Sequence, residues 1–184
     1  FLLLITNQTE EKSLNIKQAF MMTSFSWIAI TLFASFPLMY SSLQLSFTDA
    51  FFESMSGITT TGSTILDDIE RSSKGVLIWR AILQWLGGIG IVVMAITVLP
   101  LLNIGGMSLF KSEGAEFEKI LPSSKEIAMV CTKIYFILTA ICALCFYLFG
   151  MNAFDAVAHS LTTISTGGFS TYSDSIGQFN SVSI

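Results

Sequence analysis

Three long stretches of this chain are almost free of charge, and they constrain its fold more than any other feature. Ala19 to Tyr40 and Ala81 to Leu102 carry no charged side chain, and Ile127 to Met151 carries only Lys133. A helix needs about 20 apolar residues to cross the hydrocarbon core of a bilayer, and each stretch reaches that length. The sequence therefore predicts an all-α integral membrane protein with three membrane-spanning helices.

The composition of the whole chain agrees with a membrane environment. Hydrophobic residues make up 52% of the chain and charged residues 12%, with a formal net charge of -4. Because the Lys and Arg residues are few and scattered, we expect membrane lipids as surroundings and no nucleic acid as a partner. Cys131, Cys142 and Cys145 all lie in the third apolar stretch, where small packing side chains are favoured over a metal or redox site.

Two shorter apolar segments follow the first and third stretches, and each runs into residues rich in Thr, Ser and Gly. The first, Phe47 to Ile58, leads into Thr59-Thr60-Thr61-Gly62, and the second, from Asn152, leads into Ser165-Thr166-Gly167. A helix of about a dozen residues rises only about 15 to 18 Å, so it can enter a membrane but cannot cross it. We expect two re-entrant pore helices, each followed by a pore loop of extended backbone.

Capping signals predict where the short helices begin. Thr48 and Asp49 supply an N-cap and a first-turn acid for the first helix. Asn152, with Asp155 three residues later, gives the second helix a similar start. The Thr-rich run after the first helix favours extended backbone, so we expect this helix to end near Ile58.

An alignment of the two copies predicts how their loops correspond. Asp49-Ala50-Phe51 matches Asn152-Ala153-Phe154, and this choice also pairs Thr59-Thr60 with Thr162-Thr163. Thr61-Gly62 then corresponds in character to Thr166-Gly167 only if the second loop holds two extra residues. The alignment therefore predicts an insertion in the second loop.

These elements divide the chain into four segments. We expect residues 1–17 to hold the end of a preceding helix and a polar loop, and residues 18–102 to form the first helix–pore loop–helix repeat. Residues 103–124 are polar and charged, as expected of a cytosolic linker, and residues 125–184 form the second repeat without its last helix. We therefore expect this chain to be part of a larger protein.

The ends of the two short helices carry the chemistry of a cation pathway. Non-helical backbone at membrane depth is tolerated where it lines a watery cavity, and a helix C-terminus presents free carbonyls and a negative dipole end. Carbonyl and hydroxyl oxygens suit a partly dehydrated alkali cation, and glycine permits backbone angles closed to other residues. The candidate metal-binding residues, acting mainly through backbone carbonyls, are Thr60, Thr61, Gly62, Ser165, Thr166 and Gly167. We expect no catalytic residue and no organic cofactor.

Four groups of residues give the chain a family resemblance. They are Asp49 to Ser54 with Thr59 to Gly62, Leu83 to Gly90, Leu99 to Leu102, and Gly167 to Thr171. In these residues the chain resembles the Trk/Ktr/HKT superfamily of potassium transporters, and most closely the TrkH-type subunits of bacteria. The resemblance implies four helix–pore loop–helix repeats around one pathway for K+, with one key glycine in each selectivity-filter strand. Gly62 and Gly167 are the glycines that it implies here.

The same resemblance implies partners and a location. It implies a homodimer of the complete subunit and a cytosolic, TrkA-like nucleotide-binding regulatory subunit. It also implies a multi-pass protein of the bacterial inner (plasma) membrane, with residues 7–17 and 103–124 in the cytoplasm.

Two other classes of function are open to a chain of this kind. An alternating-access secondary cation transporter also builds ion sites from broken helices, although its breaks usually interrupt a full span. A membrane enzyme would need convergent acids and histidines, and the spacing of Glu53, Asp155 and His159 fits no metal or nucleophile pattern.

Several residues have structural explanations that need no chemistry. His159 is expected to be a hydrogen-bonded histidine that packs its short helix, and Gly87, Gly88 and Gly90 to form a close helix-packing surface. Arg80 lies near the end of a span, where extension of its side chain to the membrane interface would explain it. Three acids, Asp67, Asp68 and Glu70, either gather cations at an outer mouth or belong to an ordinary solvated loop.

Overall fold

The computed structural model describes residues 16–98 and 124–179, and the regular elements within those ranges are all helical. They are α1 (Ile16–Met39), α2 (Phe47–Ile58), α3 (Lys74–Val98), α4 (Ser124–Leu148), α5 (Ala153–Ile164) and a 3-10 helix (Ser175–Phe179). The predicted end of a preceding helix and most of the predicted polar loop and linker lie outside the described residues. The last two residues of that loop, Ile16 and Lys17, belong to α1. Helices α1, α3 and α4 are long and apolar enough to cross a membrane, whereas α2 and α5 have 12 residues each. The predicted all-α membrane fold is confirmed.

The spans begin a few residues before the apolar stretches that predicted them. Helix α3 starts at Lys74, because backbone hydrogen bonding continues the helix into polar residues that need not lie in hydrocarbon. At the other end of the third span, α4 stops at Leu148 although the apolar stretch continues to Met151. Gly150 follows with a φ of +113°, a conformation that glycine adopts readily and that ends the helix.

The N-cap of the first short helix lies two residues before the predicted N-cap, Thr48. Ser46 is the N-cap, with φ and ψ of -60° and 159°, and its hydroxyl accepts a hydrogen bond from the N–H of Asp49 at 3.2 Å. The predicted N-cap was wrong because Thr48 already lies within the first turn of the helix. An N-cap residue must precede that turn for its side chain to accept hydrogen bonds from the free N–H groups there. The predicted end at Ile58 is confirmed.

The second short helix begins as predicted. Asn152 is its N-cap, and the side-chain oxygen of Asn152 accepts a hydrogen bond from the N–H of Asp155 at 2.9 Å. The two short helices thus share a capping residue followed, three positions later, by an aspartate whose charge favours the helix N-terminus.

Helix α3 is the central element, because it contacts both short helices. Helix α2 packs between α1 and α3, and α5 packs between α3 and α4. One buried cluster joins Ala34 of α1, Ile58 of α2 and Leu83 of α3. Trp79 of α3 packs against this cluster and donates its indole N–H to the carbonyl of Ala34 at 3.1 Å.

Two glycines let α3 approach the ends of the short helices. A β-carbon added to Gly87 would overlap the carbonyl oxygen of Ile58, at the end of α2. One added to Gly88 would overlap the hydroxyl of Tyr135 and crowd Ser165, at the end of α5. The predicted packing role is confirmed for these two glycines. Gly90 differs, because its added β-carbon would only touch Trp27 at 3.6 Å, an ordinary contact.

This difference predicts opposite effects of the same substitution on α3. Gly87→Ala should lower the free energy of unfolding by about 1–3 kcal/mol, because the methyl group forces α2 away from α3. Gly90→Ala should leave stability unchanged or raise it by up to about 1 kcal/mol, because alanine is the better helix former. Thermal unfolding of the two purified full-length variants in detergent measures both effects. Equal unfolding temperatures for the two variants would contradict the packing role of Gly87.

Candidate functional site

Two extended segments leave the C-termini of the short helices and lie side by side against α3. We call residues 60–65, after α2, loop strand A, and residues 166–171, after α5, loop strand B. A β-carbon added to Gly62 of strand A would overlap the carbonyl oxygen of Gly167 of strand B. The two strands are therefore in backbone contact at their glycines.

The two strands have the same backbone conformation. Thr60 and Thr166 adopt φ angles of 56° and 57°, and Gly62 and Gly168 adopt 79° and 81°. A threonine in this left-handed region is uncommon and costs energy, so its presence at the same place in both strands indicates a conformation fixed by the surroundings.

Hydrogen bonds to the preceding helices repeat in the same register. The N–H of Thr60 donates to the carbonyl of Gly57, and the N–H of Thr166 to that of Thr163, each at 2.9 Å. The next residues repeat the pattern, because the N–H groups of Thr61 and Gly167 bond the carbonyls of Ser56 and Thr162, again at 2.9 Å. Thr60-Thr61-Gly62 thus corresponds to Thr166-Gly167-Gly168.

This register corrects the alignment predicted from the sequence. No residue is inserted in the second loop, and Gly62 corresponds to Gly168 and not to Gly167. The alignment failed because it matched Asp49, which lies in the first turn of α2, with Asn152, which is the cap of α5. Matching the caps Ser46 and Asn152 gives the observed register, since both helices have 12 residues.

Five of the six predicted site residues lie in the two strands. Thr60, Thr61 and Gly62 lie in strand A, and Thr166 and Gly167 lie in strand B. Ser165 instead caps the C-terminus of α5, and its hydroxyl donates to the carbonyl of Thr162 at 3.1 Å. Their predicted role as ion ligands stays a prediction. Gly168 was not among the predicted site residues, although an alignment on the caps Ser46 and Asn152 matches it with Gly62.

The adjacent glycines of strand B differ in what disfavours a side chain at their positions. Gly168 has a positive φ and open space around it, so the backbone angle alone requires glycine. Gly167 has no such angle, but a β-carbon there would overlap the side chain of Gln84 on α3. Thr61, which takes the place of Gly167 in strand A, has an exposed side chain.

Two side chains of α2, those of Glu53 and Ser56, hold strand A in place. Glu53 is fully buried and accepts hydrogen bonds from the hydroxyl of Thr64 at 2.9 Å and the N–H of Ile65 at 3.1 Å. The hydroxyl of Ser56, also on α2, donates to the carbonyl of Ser63 at 2.5 Å. Two side chains of one short helix therefore fix the last half of the strand.

Strand B is held by an acid and a histidine of α5. The carboxylate of Asp155 accepts hydrogen bonds from the hydroxyls of Thr171 at 2.8 Å and Tyr172 at 3.1 Å. The ring of His159 shares a hydrogen bond with the hydroxyl of Thr171 at 3.2 Å and packs edge-on against Phe179. The prediction of a hydrogen-bonded, packing histidine is confirmed.

Arg80 of α3 does not extend to the membrane interface as predicted. Its side chain is only 1% exposed, and its Nε donates to a carboxylate oxygen of Glu53 at 2.7 Å. The prediction was wrong because α2 offers a buried counter-charge, which draws the guanidinium inward. Arg80 also donates to the hydroxyl of Thr64 at 3.1 Å and to the carbonyl of Ser170 at 3.4 Å.

Gln84 lies one helical turn after Arg80 and also faces the strands. Its side chain is fully buried, and its Oε1 accepts a hydrogen bond from the N–H of Phe169 in strand B at 3.0 Å. Its Nε2 has no hydrogen-bond partner among the described residues. The guanidinium of Arg80 also stacks on the ring of Phe169, 4.1 Å from the ring centroid.

The loops beyond the two strands are tied together by one acid. Glu70, before α3, accepts hydrogen bonds from the N–H and the hydroxyl of Ser173, each at 2.8 Å. Asp68 of the same loop forms an exposed ion pair with Arg71 at 2.7 Å. Two of the three loop acids thus have protein partners, and a role in gathering cations stays a prediction.

Comparison with known proteins identifies close relatives. The TrkH family, described as cation transport protein, matches residues 2–184. The Trk system potassium uptake protein TrkI of Halomonas elongata is 48% identical over 168 residues, which cover 91% of this chain and 34% of that protein. The Trk system potassium uptake protein TrkH of Escherichia coli is 41% identical over 182 residues, which cover 97% of this chain and 38% of that protein.

A solved structure has the same fold. The crystal structure of the potassium transporter TrkH from Vibrio parahaemolyticus matches with a TM-score of 0.76 and 39% identity. The match covers 96% of this chain and 35% of that one. The chain spans little more than a third of the length of the relatives it matches.

The contact between Glu70 and Ser173 predicts a pH dependence of stability. The backbone N–H of Ser173, and then its hydroxyl, lower the pKa of Glu70 below its ordinary value of 4.5. The stabilisation is therefore present above the ordinary pKa and is lost as the pH falls through the lowered pKa of the folded protein. Between about pH 5 and pH 3, unfolding temperatures should fall less steeply for Glu70→Gln than for the parent protein.

Asp67 provides the matched control for this measurement, because it is an exposed acid of the same loop. Asp67→Asn should keep the pH dependence of the parent protein. If Glu70→Gln and Asp67→Asn have the same pH profile, the contact with Ser173 does not stabilise the folded loops.

Proposed function

Because the chain belongs to the TrkH family of cation transport proteins, we propose that it forms part of a potassium uptake protein of the bacterial inner membrane. The relatives compared above are named potassium uptake proteins or a potassium transporter, which supports K+ as the transported ion. In this proposal the two loop strands form part of the selectivity filter, and the protein has no catalytic site and no organic cofactor.

The matching backbone of the two strands is the observation that carries the proposal. Each strand begins with a threonine in the left-handed conformation, directly after the C-cap of a half-length helix. A glycine with a positive φ follows two residues later. Such a turn lets successive carbonyl oxygens face one side, where they can replace the hydration shell of an ion. The proposed ligands are the backbone oxygens of Thr60, Thr61 and Gly62 with Thr166, Gly167 and Gly168.

Ser165 belongs to the proposal in a different position from that predicted. It corresponds to Thr59, the C-cap of α2, so its carbonyl would lie at the inner end of the pathway, below the strand. The C-termini of α2 and α5 carry the negative ends of their dipoles toward the same place. Each favours a nearby cation by about 0.3–1 kcal/mol.

The alternating-access alternative is less favoured by the arrangement of the helices. That mechanism usually places ion sites at a break within a spanning helix. Here α2 and α5 are separate half-length helices, and α1, α3 and α4 are continuous through the span-length segments that flank them.

Partners of the protein are part of the same proposal. The relatives are named as members of a Trk system, which supports an assembly of more than one component. We propose a homodimer of the full-length subunit together with a cytosolic, TrkA-like nucleotide-binding regulatory subunit. The division of the chain into repeats at residues 18–102 and 125–184 is proposed with it.

Gly62→Ser tests the filter directly. A serine there would be strained by the φ of +79° and would overlap the carbonyl oxygen of Gly167. A strain of about 1–2 kcal/mol corresponds to a factor of about 5 to 30 in an equilibrium constant, so we expect the selectivity for K+ over Na+ to fall by about that factor. The measurement is K+ uptake in competition with Na+, in an uptake-deficient bacterium that carries the full-length gene.

Gly75→Ser is the matched control, because Gly75 has no positive φ and only ordinary contact near its added β-carbon. It should transport K+ with the selectivity of the parent protein. A well-expressed Gly62→Ser variant with unchanged relative uptake of K+ and Na+ would move the ion pathway away from these strands.

A further inference from the structure

We propose that Arg80 and Gln84 are positioning residues that hold the two loop strands at a fixed spacing and thereby determine ion selectivity. Both lie on α3, one helical turn apart, and both side chains are at most 1% exposed. The proposal rests on the proposed function, since it assigns selectivity to strands A and B. We call these two side chains the α3 brace.

Arg80 is the outer part of the brace, because it bonds both strands at once. Toward strand A it donates to the hydroxyl of Thr64 and to Glu53, which itself bonds Thr64 and Ile65. Toward strand B it donates to the carbonyl of Ser170 and stacks on the ring of Phe169. Among the described residues no other side chain hydrogen-bonds both strands, and all three guanidinium nitrogens of Arg80 donate hydrogen bonds.

Gln84 is the inner part of the brace, closer to the contact between Gly62 and Gly167. Its Oε1 bonds the N–H of Phe169, and its side chain fills the space that a β-carbon of Gly167 would need. Its Nε2 lies 3.7 Å from the position of a β-carbon on Gly62. Gln84 therefore contacts strand B and approaches strand A from the α3 side, near the contact between the two backbones.

The chemistry of the two side chains suits a rigid spacer. A guanidinium is planar and presents donors in a fixed fork, so its bonds to Glu53, Thr64 and Ser170 define the separation of those groups. A lysine would keep the charge but is a single flexible donor centre and could not hold all three. Burial adds to this rigidity, because moving Arg80 away from its partners would leave a buried charge without compensation.

The brace acts on the ion through the strands. Neither side chain belongs to the set of proposed ligands, and both approach the strands from the α3 side. Selectivity among alkali cations depends on the number and arrangement of the coordinating carbonyls. If the spacing of strands A and B sets that arrangement, loosening the brace should change which ion is preferred before it stops transport.

Arg80→Lys in the full-length protein tests the outer part of the brace. At equal amounts of protein in the membrane, we expect the preference for K+ over Na+ to fall about tenfold, equivalent to about 1.4 kcal/mol. The readout is rubidium or potassium uptake into proteoliposomes at increasing concentrations of competing Na+. The maximal rate of uptake should change less than the preference does.

Gln84→Met tests the inner part without touching a charge. Methionine has a similar length, but its sulfur is only a weak acceptor for the N–H of Phe169, so we again expect the preference for K+ to fall.

Arg71→Lys is the matched control for Arg80→Lys, because Arg71 is an exposed arginine whose ion pair with Asp68 lies outside the brace. It should keep the preference of the parent protein.

The outcomes separate the brace from the proposed function. A parent protein that takes up no K+ would overturn the proposed function, and the brace with it. A parent protein that selects K+, together with variants of unchanged preference, would overturn the brace alone. Failure of both Arg80→Lys and Gln84→Met to accumulate in the membrane would assign these residues a purely structural role, which also overturns the proposal.

Discussion

The buried ion pair between Arg80 and Glu53 is the interaction on which the arrangement of the two loop strands depends. Glu53 holds the end of strand A, and Arg80 links that carboxylate to strand B. Removing one partner of such a pair typically costs about 3–5 kcal/mol, because the other charge stays buried without compensation. The pair also joins α2 to α3, so the position of the short helix and the position of its strand are set by the same contact.

The long helices were predictable because a membrane leaves the backbone few alternatives. An uncharged stretch of span length must satisfy its peptide groups internally, so α1, α3 and α4 follow from length and composition. The short helices followed from their half-length, and the end of α2 from the Thr-rich run after it. The register between the two short helices was not predicted correctly. The alignment relied on the similarity of Asp49-Ala50-Phe51 to Asn152-Ala153-Phe154 and not on the capping residues. Matching Asp49 instead of Ser46 with Asn152 displaces every later correspondence by three residues.

The role of Arg80 was not predictable from local sequence. Its partner Glu53 lies 27 residues earlier, and the carbonyl of Ser170 lies 90 residues later. A lone arginine near the end of an apolar stretch is usually explained by extension to the interface, and only the packing of α2 on α3 removes that explanation. The contacts of Gln84 were not predictable either, because its side chain fills the space beside Gly167, which lies far away in the sequence. Sequence reasoning found the strands, and the tertiary contacts identified what holds them.

The two repeats agree in backbone conformation and differ in the side chains that maintain it. Glu53 of α2 and His159 of α5 occupy corresponding positions, and each bonds the end of its own strand, at Ile65 and Thr171. One repeat uses a carboxylate paired with an arginine, whereas the other uses a histidine beside Asp155. If carbonyl oxygens bind the ion, selection acts on the path of the backbone and can accept different chemistry behind it. Repeats of this kind can therefore diverge in sequence while the geometry of their strands stays the same, which is why aligning their side chains gave the wrong register.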